Sequence, residues 1–117
     1  MKFLIVDENK SFREYLRELI VDNNDECMEL EDGLNIAAAF RKYKPDWLLI
    51  DLQMQKQNGF RLAEMMISEF RDASIALLSD FNDERLRIRA EQIGAKAFIV
   101  KENLCDLFKI NIERKEQ

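Results

Sequence analysis

Four short apolar runs, spread along the chain, each end on a polar or charged residue. Phe3-Leu4-Ile5-Val6 runs into Asp7 and Glu8, and Trp47-Leu48-Leu49-Ile50 into Asp51. Ile75-Ala76-Leu77-Leu78 runs into Ser79, and Ala97-Phe98-Ile99-Val100 into Lys101. Each run is mostly apolar rather than alternating, the pattern of a parallel strand covered on both faces. In an open parallel sheet the chemistry lies just beyond the carboxyl ends of the strands. Laid side by side, these strands bring the carboxylates of Asp7, Glu8 and Asp51, the Ser79 hydroxyl and the Lys101 ammonium to one edge.

The segments between the runs have helical period. Residues 11–21 place Phe12, Leu16, Leu19 and Ile20 on one stripe, and Ser11 or Asn9 can cap the helix. Residues 27–30 alternate roughly and end at Asp32-Gly33, which predicts a fifth, edge-like strand. Residues 34–43 predict a helix with Ile36, Ala37, Ala38 and Phe40 inward and Pro45 just past its end. Residues 59–70 predict a third, with Phe60, Leu62, Ala63, Met66, Ile67 and Phe70 in the core. Residues 82–93 predict a fourth, capped by Asn82 and closed by Gly94, with Arg85, Arg87, Arg89 and Glu91 outside. Residues 103–112 predict a fifth, with Leu104, Leu107 and Phe108 inward. The order is (βα)5. Such alternation implies right-handed crossovers and a doubly wound α/β sheet of five parallel strands. The flavodoxin-like strand order 2-1-3-4-5 is the common solution.

Composition narrows the function. A chain of 117 residues, 47% hydrophobic and 35% charged, is read as one domain spanning 1–117. The net charge of -5 argues against direct nucleic-acid binding. The chain has no histidine, which removes histidine-based triads, dyads and metal sites. Any metal must be hard and oxygen-liganded, such as magnesium. No apolar stretch approaches the ~18 residues of a membrane span. Met1-Lys2 leads directly into the first strand, so no signal peptide is expected. Cys27 and Cys105 form no short-spaced motif and are read as reduced thiols of a cytoplasmic protein.

Five segments, in order on this frame, carry a family resemblance. Val6-Asp7-Glu8 looks like the acidic pair after the first strand of a response regulator receiver domain. Leu49-Ile50-Asp51-Leu52-Gln53-Met54 resembles the segment with the phosphorylated aspartate, and Asn58-Gly59-Phe60 the turn that opens the third helix. Leu78-Ser79 is similar to the hydroxyl position, and Phe98-Ile99-Val100-Lys101 to the switch aromatic and the lysine. Taken singly, a strand-ending aspartate or serine is an ordinary turn residue, and a lysine there is ordinarily just solvated. The joint pattern points to two-component phosphorelay signalling rather than to an enzyme.

The chemistry follows residue by residue. Asp51 is the natural nucleophile: its carboxylate can attack a phosphoryl group and form an aspartyl phosphate. Phosphoryl transfer depends on charge neutralisation and in-line positioning. Asp7, Glu8 and Asp51 would repel one another if gathered closely, and magnesium resolves this. Lys101 supplies the other positive charge, and Ser79 offers a donor to a phosphoryl oxygen. The resemblance assigns direct metal contact to Glu8, Asp51 and the Gln53 carbonyl, and a contact largely through water to Asp7. It makes Ser79 and Phe98 the switch pair. It implies a sensor histidine kinase or phosphotransfer protein as donor. It further implies a responsive face of fourth helix, fifth strand and fifth helix, through which two copies can pair. Arg85, Arg87, Arg89, Lys96, Asp106 and Lys109 would decorate that face.

The chain departs from the family pattern in places. The second acid is Glu8, one methylene longer than aspartate. Met54-Gln55-Lys56 stands where Met-Pro-Gly is usual, Ser79 for threonine and Phe98 for tyrosine. Glu102 follows Lys101 in place of proline, which predicts a trans bond. Phe81 is a bulky residue at the rim. The alternative reading is a phosphorylation-independent pseudo-receiver acting as a protein-interaction module. An aspartate-based phosphatase fails because Asp51-Leu52-Gln53 lacks a second acid two residues on. A flavin-binding flavodoxin fails because Asp7-Glu8 would repel phosphate.

Overall fold

The computed structural model of the chain describes residues 1–20 and 24–104. Five strands, β1 (Lys2–Val6), β2 (Glu26–Leu30), β3 (Trp47–Asp51), β4 (Ile75–Ser79) and β5 (Ala97–Val100), form one parallel sheet in the order β2-β1-β3-β4-β5. Among the described residues, four α-helices alternate with them: α1 (Lys10–Ile20), α2 (Ile36–Tyr43), α3 (Gly59–Glu69) and α4 (Glu84–Ile93). A 3-10 turn, Lys101–Asn103, follows β5. The expected doubly wound order is therefore observed, with the 27–30 strand at an edge. The expected helix over 103–112 lies almost wholly outside the described residues. No described helix is long and apolar enough to cross a membrane.

The continuous apolar runs are explained by two cores. Successive strand side chains point to opposite faces. Leu4 and Val6, Leu48 and Ile50, Ile75 and Leu77, and Phe98 and Val100 pack on one face with Ile36, Phe60, Ala63, Met66 and Ala90 of α2, α3 and α4. Phe3 and Ile5, Trp47 and Leu49, Ala76 and Leu78, and Ala97 and Ile99 pack on the other with Leu16 and Leu104. Continuing the alternation to the strand ends puts Asp7, Asp51 and Lys101 on the α1 side of the edge. Ser79 falls on the opposite side.

Some helix boundaries and phases differ from the sequence expectation. α2 begins at Ile36 because Asp32 Oδ1 accepts from the Leu34 N–H at 3.0 Å, holding residues 32–35 in a turn. Leu34 is left 77% exposed. With Ile36 buried, positions three and four later face the sheet, so Ala39 and Phe40 pack inward and Ala38 is exposed. The cap of α4 is Asp83, not Asn82: Asp83 Oδ1 accepts from Arg85 N–H at 2.8 Å. A carboxylate there also suits the positive end of the helix. Asn9 is the residue that caps α1, accepting from Phe12 N–H at 3.0 Å. Gly94 closes α4 with φ of 97°, a left-handed conformation that glycine adopts without strain.

Candidate functional site at the carboxyl edge of the sheet

β1, β3 and β5 place their terminal side chains against one another. Lys101 Nζ lies 3.1 Å from Asp7 Oδ2 and 3.2 Å from Asp51 Oδ1. Both aspartates are buried. At 3.2 Å and an effective dielectric near 20, one such pair attracts by roughly 5 kcal/mol before desolvation. The lysine ammonium also lies 4.2 Å from the centre of the Phe12 ring of α1. These groups line an open cleft of about 490 Å3 together with Glu8, Asn9, Gln53, Gln55 and Asp80.

The electrostatics follow from burial and crowding. Burial first, and then the charge of Asp7, hold the Asp51 carboxyl above its ordinary pKa. Lys101 and the Gln53 N–H, 3.2 Å from Asp51 Oδ1, oppose that rise without cancelling it. Burial pulls Lys101 down, but Asp51 and Asp7 outweigh it and leave its pKa above the ordinary value. The lysine therefore stays charged among the carboxylates.

The remaining site residues have separate engagements. Glu8 accepts from the backbone N–H groups of Gln55 and Lys56. Ser79 Oγ donates to Phe81 O at 2.9 Å and accepts from Phe81 N–H at 3.0 Å. The Gln53 amide spans two loops: its Nε2 donates to Ser79 Oγ at 3.2 Å, and its Oε1 accepts from Asp80 N–H at 2.8 Å. Phe98 is buried, and the Arg87 guanidinium lies 4.8 Å from its ring centre. Arg89 lies likewise 4.2 Å from the Phe60 ring centre, so two of the arginines on the outer side of α4 also cover aromatic rings. Asp106 and Lys109 lie outside the described residues. No cis peptide bond occurs among the described residues, so Lys101–Glu102 is trans.

Three contributors are not evident from the sequence. Asp80 Oδ1 is a third carboxylate on Lys101, at 3.4 Å. It follows Ser79 directly, so the strand-end rule would have reached it if carried one residue further. Phe12 forms a wall of the lysine site. Arg13 Nη1 donates to Asp7 O at 2.6 Å while its Nε pairs with Glu29 at 3.1 Å, tying the β1 end to β2. Arg13 has no sequence signal beyond its place on α1.

The donor set suits a small hard cation. Two buried carboxylates, Asp7 and Asp51, share the cleft. Asp51 Oδ2 makes no hydrogen bond or ion pair among the described residues. No three cysteine, aspartate or glutamate side chains converge as a metal cage among the described residues. Magnesium does not need such a cage, since one or two carboxylates with waters and phosphate oxygens commonly suffice. Cys27 is not a competing ligand: burial pushes its thiol up to about 11, so it stays protonated and unreactive.

Residues 3–110 match the response regulator receiver domain family. The chain belongs to that family. The transcriptional regulatory protein DegU of Brevibacillus brevis is 28% identical over 108 residues, covering 91% of this chain and 46% of DegU. YdfI of Bacillus subtilis, a transcriptional regulatory protein, is 33% identical over 104 residues, covering 86% of this chain and 48% of its own length. The chemotaxis protein CheY of Listeria monocytogenes is 28% identical over 102 residues, with 86% of each chain covered. The receiver thus spans about half the length of the transcriptional regulators but most of CheY. Among solved structures, a LuxR-family response regulator from Aurantimonas superposes with a TM-score of 0.86 at 20% identity, covering 97% of this chain and 83% of that one. CheY4 of Vibrio cholerae superposes at 0.83 and 23% identity, covering 97% and 96%. These superpositions bear on the fold. The chain is a receiver domain of two-component signalling.

Proposed function

We infer that this receiver accepts a phosphoryl group on Asp51 in a magnesium-dependent reaction and passes the event to a surface formed by α4 and β5. The observation that carries the reading is the placement of Lys101 against Asp7 and Asp51. That contact supplies a nucleophile, a charge partner and an adjacent hard donor in one cleft. An Asp51 carboxylate oxygen attacks the phosphorus of a phosphohistidine on a histidine kinase or phosphotransfer protein. The new P–O bond forms as the P–N bond breaks, and the departing imidazole keeps the bonding pair. Lys101 then holds negative charge on the transferred group.

Asp51, Asp7 and the Gln53 carbonyl would hold magnesium, with Glu8 as a further ligand when its carboxylate is released from the Gln55 and Lys56 amides. Bound there, the cation would neutralise negative charge developing on the transferred group. Ser79, freed from the Phe81 backbone, reaches the new oxygens. Phe98 and Arg87 then adjust on the α4 side. This is a population shift between two packings. The phosphorylation-independent alternative gains no support, because the acid and lysine positions are filled and in contact. The partner proteins, pairing of two copies, action without direct nucleic-acid contact, a single domain over 1–117 and a cytoplasmic setting belong to the same proposal.

Intact mass after treatment with a small acyl-phosphate donor and magnesium tests it. The wild type should gain one phosphate, and Asp51→Asn none. A gain on both, or on neither, overturns Asp51 as the acceptor.

A further inference from the structure

Glu8 and the loop between β3 and α3 hold each other. Gln55 N–H donates to Glu8 Oε1 and, at 3.2 Å, to Oε2, and Lys56 N–H donates to Oε2 at 3.2 Å. Both oxygens of one carboxylate are thus engaged by consecutive main-chain amides. A carboxylate offers about four lone-pair sites, and three contacts already draw on them. Hydrogen bonds to a charged acceptor are also among the stronger ones. Asp51 is held differently, with Oδ2 carrying no partner among the described residues.

We propose that Glu8 is a positioning residue that staples the β3–α3 loop, and that binding of a divalent cation in the cleft competes with this staple. The inference rests on the reading that the cleft takes a hard cation. Glu8 already borders the cleft, but its two oxygens can serve a cation there fully only by giving up the Gln55 and Lys56 amides. The apparent affinity for the cation is then reduced by the fraction of time Glu8 spends released. The reverse holds by linkage: an occupied cleft loosens the loop. Gln55 and Lys56 are exposed, and Lys56 borders a surface hollow with Asn58, Arg61 and Met65 of the α3 start. Occupancy of the cleft is therefore felt on the outer surface before any phosphoryl group arrives. The staple depends on a side chain of glutamate length and on an N–H at position 55, which proline could not supply.

Amide hydrogen exchange on the full chain, metal-free and saturated with Mg2+ alone, tests this, with binding followed by calorimetry. The Gln55 and Lys56 amides should be protected in the metal-free protein. They should exchange at least fivefold faster with Mg2+, while the Ala63 amide within α3 is unchanged. Gln55→Pro removes two of the three contacts and should bind Mg2+ about three- to tenfold more tightly. If Mg2+ binds and exchange at Gln55 and Lys56 is unchanged or slower, the competition is overturned and the cation reading stands. Unaltered or weaker binding by a folded Gln55→Pro overturns it as well. If neither protein takes up Mg2+, the competition and the cation reading fall together.

Discussion

The Lys101 ammonium at the end of β5 stands 3.2 Å from Asp51 Oδ1 at the end of β3, across the intervening strand β4. The contact exists because both side chains fall on the α1 side of the sheet edge. It compensates only part of the cost of burying Asp51. Burial and the charge of Asp7 still hold its pKa above the ordinary 3.8.

The sign of that shift gives the first prediction. With the folded pKa above the unfolded one, the native state binds the proton more tightly, so charged Asp51 costs stability. The cost is fully present above the folded pKa, shrinks as pH falls through it, and is gone below about 3.8. Asp51→Asn should therefore be more stable than the wild type at neutral pH. We expect a gain of the order of 1 kcal/mol, or roughly 3–6 °C in thermal midpoint. The gap should narrow steadily as the pH is lowered toward 4. Thermal melts of both proteins across that range check it. An equal or lower midpoint for Asp51→Asn at pH 7 contradicts the assignment.

Asp80 shares Lys101 at 3.4 Å yet is half exposed. It adds negative charge where an anionic donor must approach and competes with Asp51 for the ammonium. Exposed pairs of this kind contribute about 0.2–1 kcal/mol. Asp80→Asn should accordingly speed phosphorylation of Asp51 by a small acyl-phosphate donor about two- to fivefold at low salt. The advantage should fade as salt is raised, because surface charge is screened. A mass-based time course at two salt concentrations measures this. A rate that does not rise at low salt counts against the electrostatic role.

How far the sequence reveals this site depends on what kind of signal each residue carries. The strand ends are legible because continuous apolar runs mark strands buried on both faces, and the side-chain period of two then fixes which ends meet. Asp7, Asp51 and Lys101 are found in that way. Ala38 is misplaced because the run Ala37-Ala38-Ala39 carries no periodic contrast, and only packing of Ile36 sets the phase. Asn82 and Asp83 are both good caps, so composition cannot choose between them. The aim of Glu8 depends on main-chain amides, which no side-chain pattern reports. The place of Asp80 depends on the path of the chain after β4. Loop geometry, rather than core periodicity, is thus where sequence reading stops.

Phe81 combines a pinned backbone with a free ring. Its N–H and C=O are both bonded to Ser79 Oγ, while the residue is 58% exposed at the rim. We expect this ring, two residues beyond Ser79, to hinder water on its way to a phosphoryl group on Asp51. Phe81→Ala should shorten the phosphoryl lifetime several-fold while leaving the extent of initial labelling unchanged. Loss of label after removal of the donor reports it directly, and equal lifetimes would sink the idea.

Gly59 opens α3 directly beneath the site. A Cβ there would meet Asp51 O at 2.6 Å and Leu52 Cα at 2.7 Å, both backbone atoms with no freedom to swing aside. Asn58 fixes the approach by accepting from the Phe60 and Arg61 N–H groups at 2.9 and 3.2 Å. Gly59→Ala must therefore push α3 away from the end of β3. Overpacking of this kind costs about 1–3 kcal/mol. The displaced backbone is that of Asp51 itself, so phosphorylation should fall along with stability. Gly33→Ala provides the contrast, since its added Cβ meets only the ends of the Leu62 and Gln57 side chains, at 2.7 and 2.8 Å. Those side chains can shift, and labelling of Asp51 should be retained. Denaturant melts with phosphate uptake on the two variants separate the cases: comparable loss of labelling in both would show that Gly59 does not act through the Asp51 backbone.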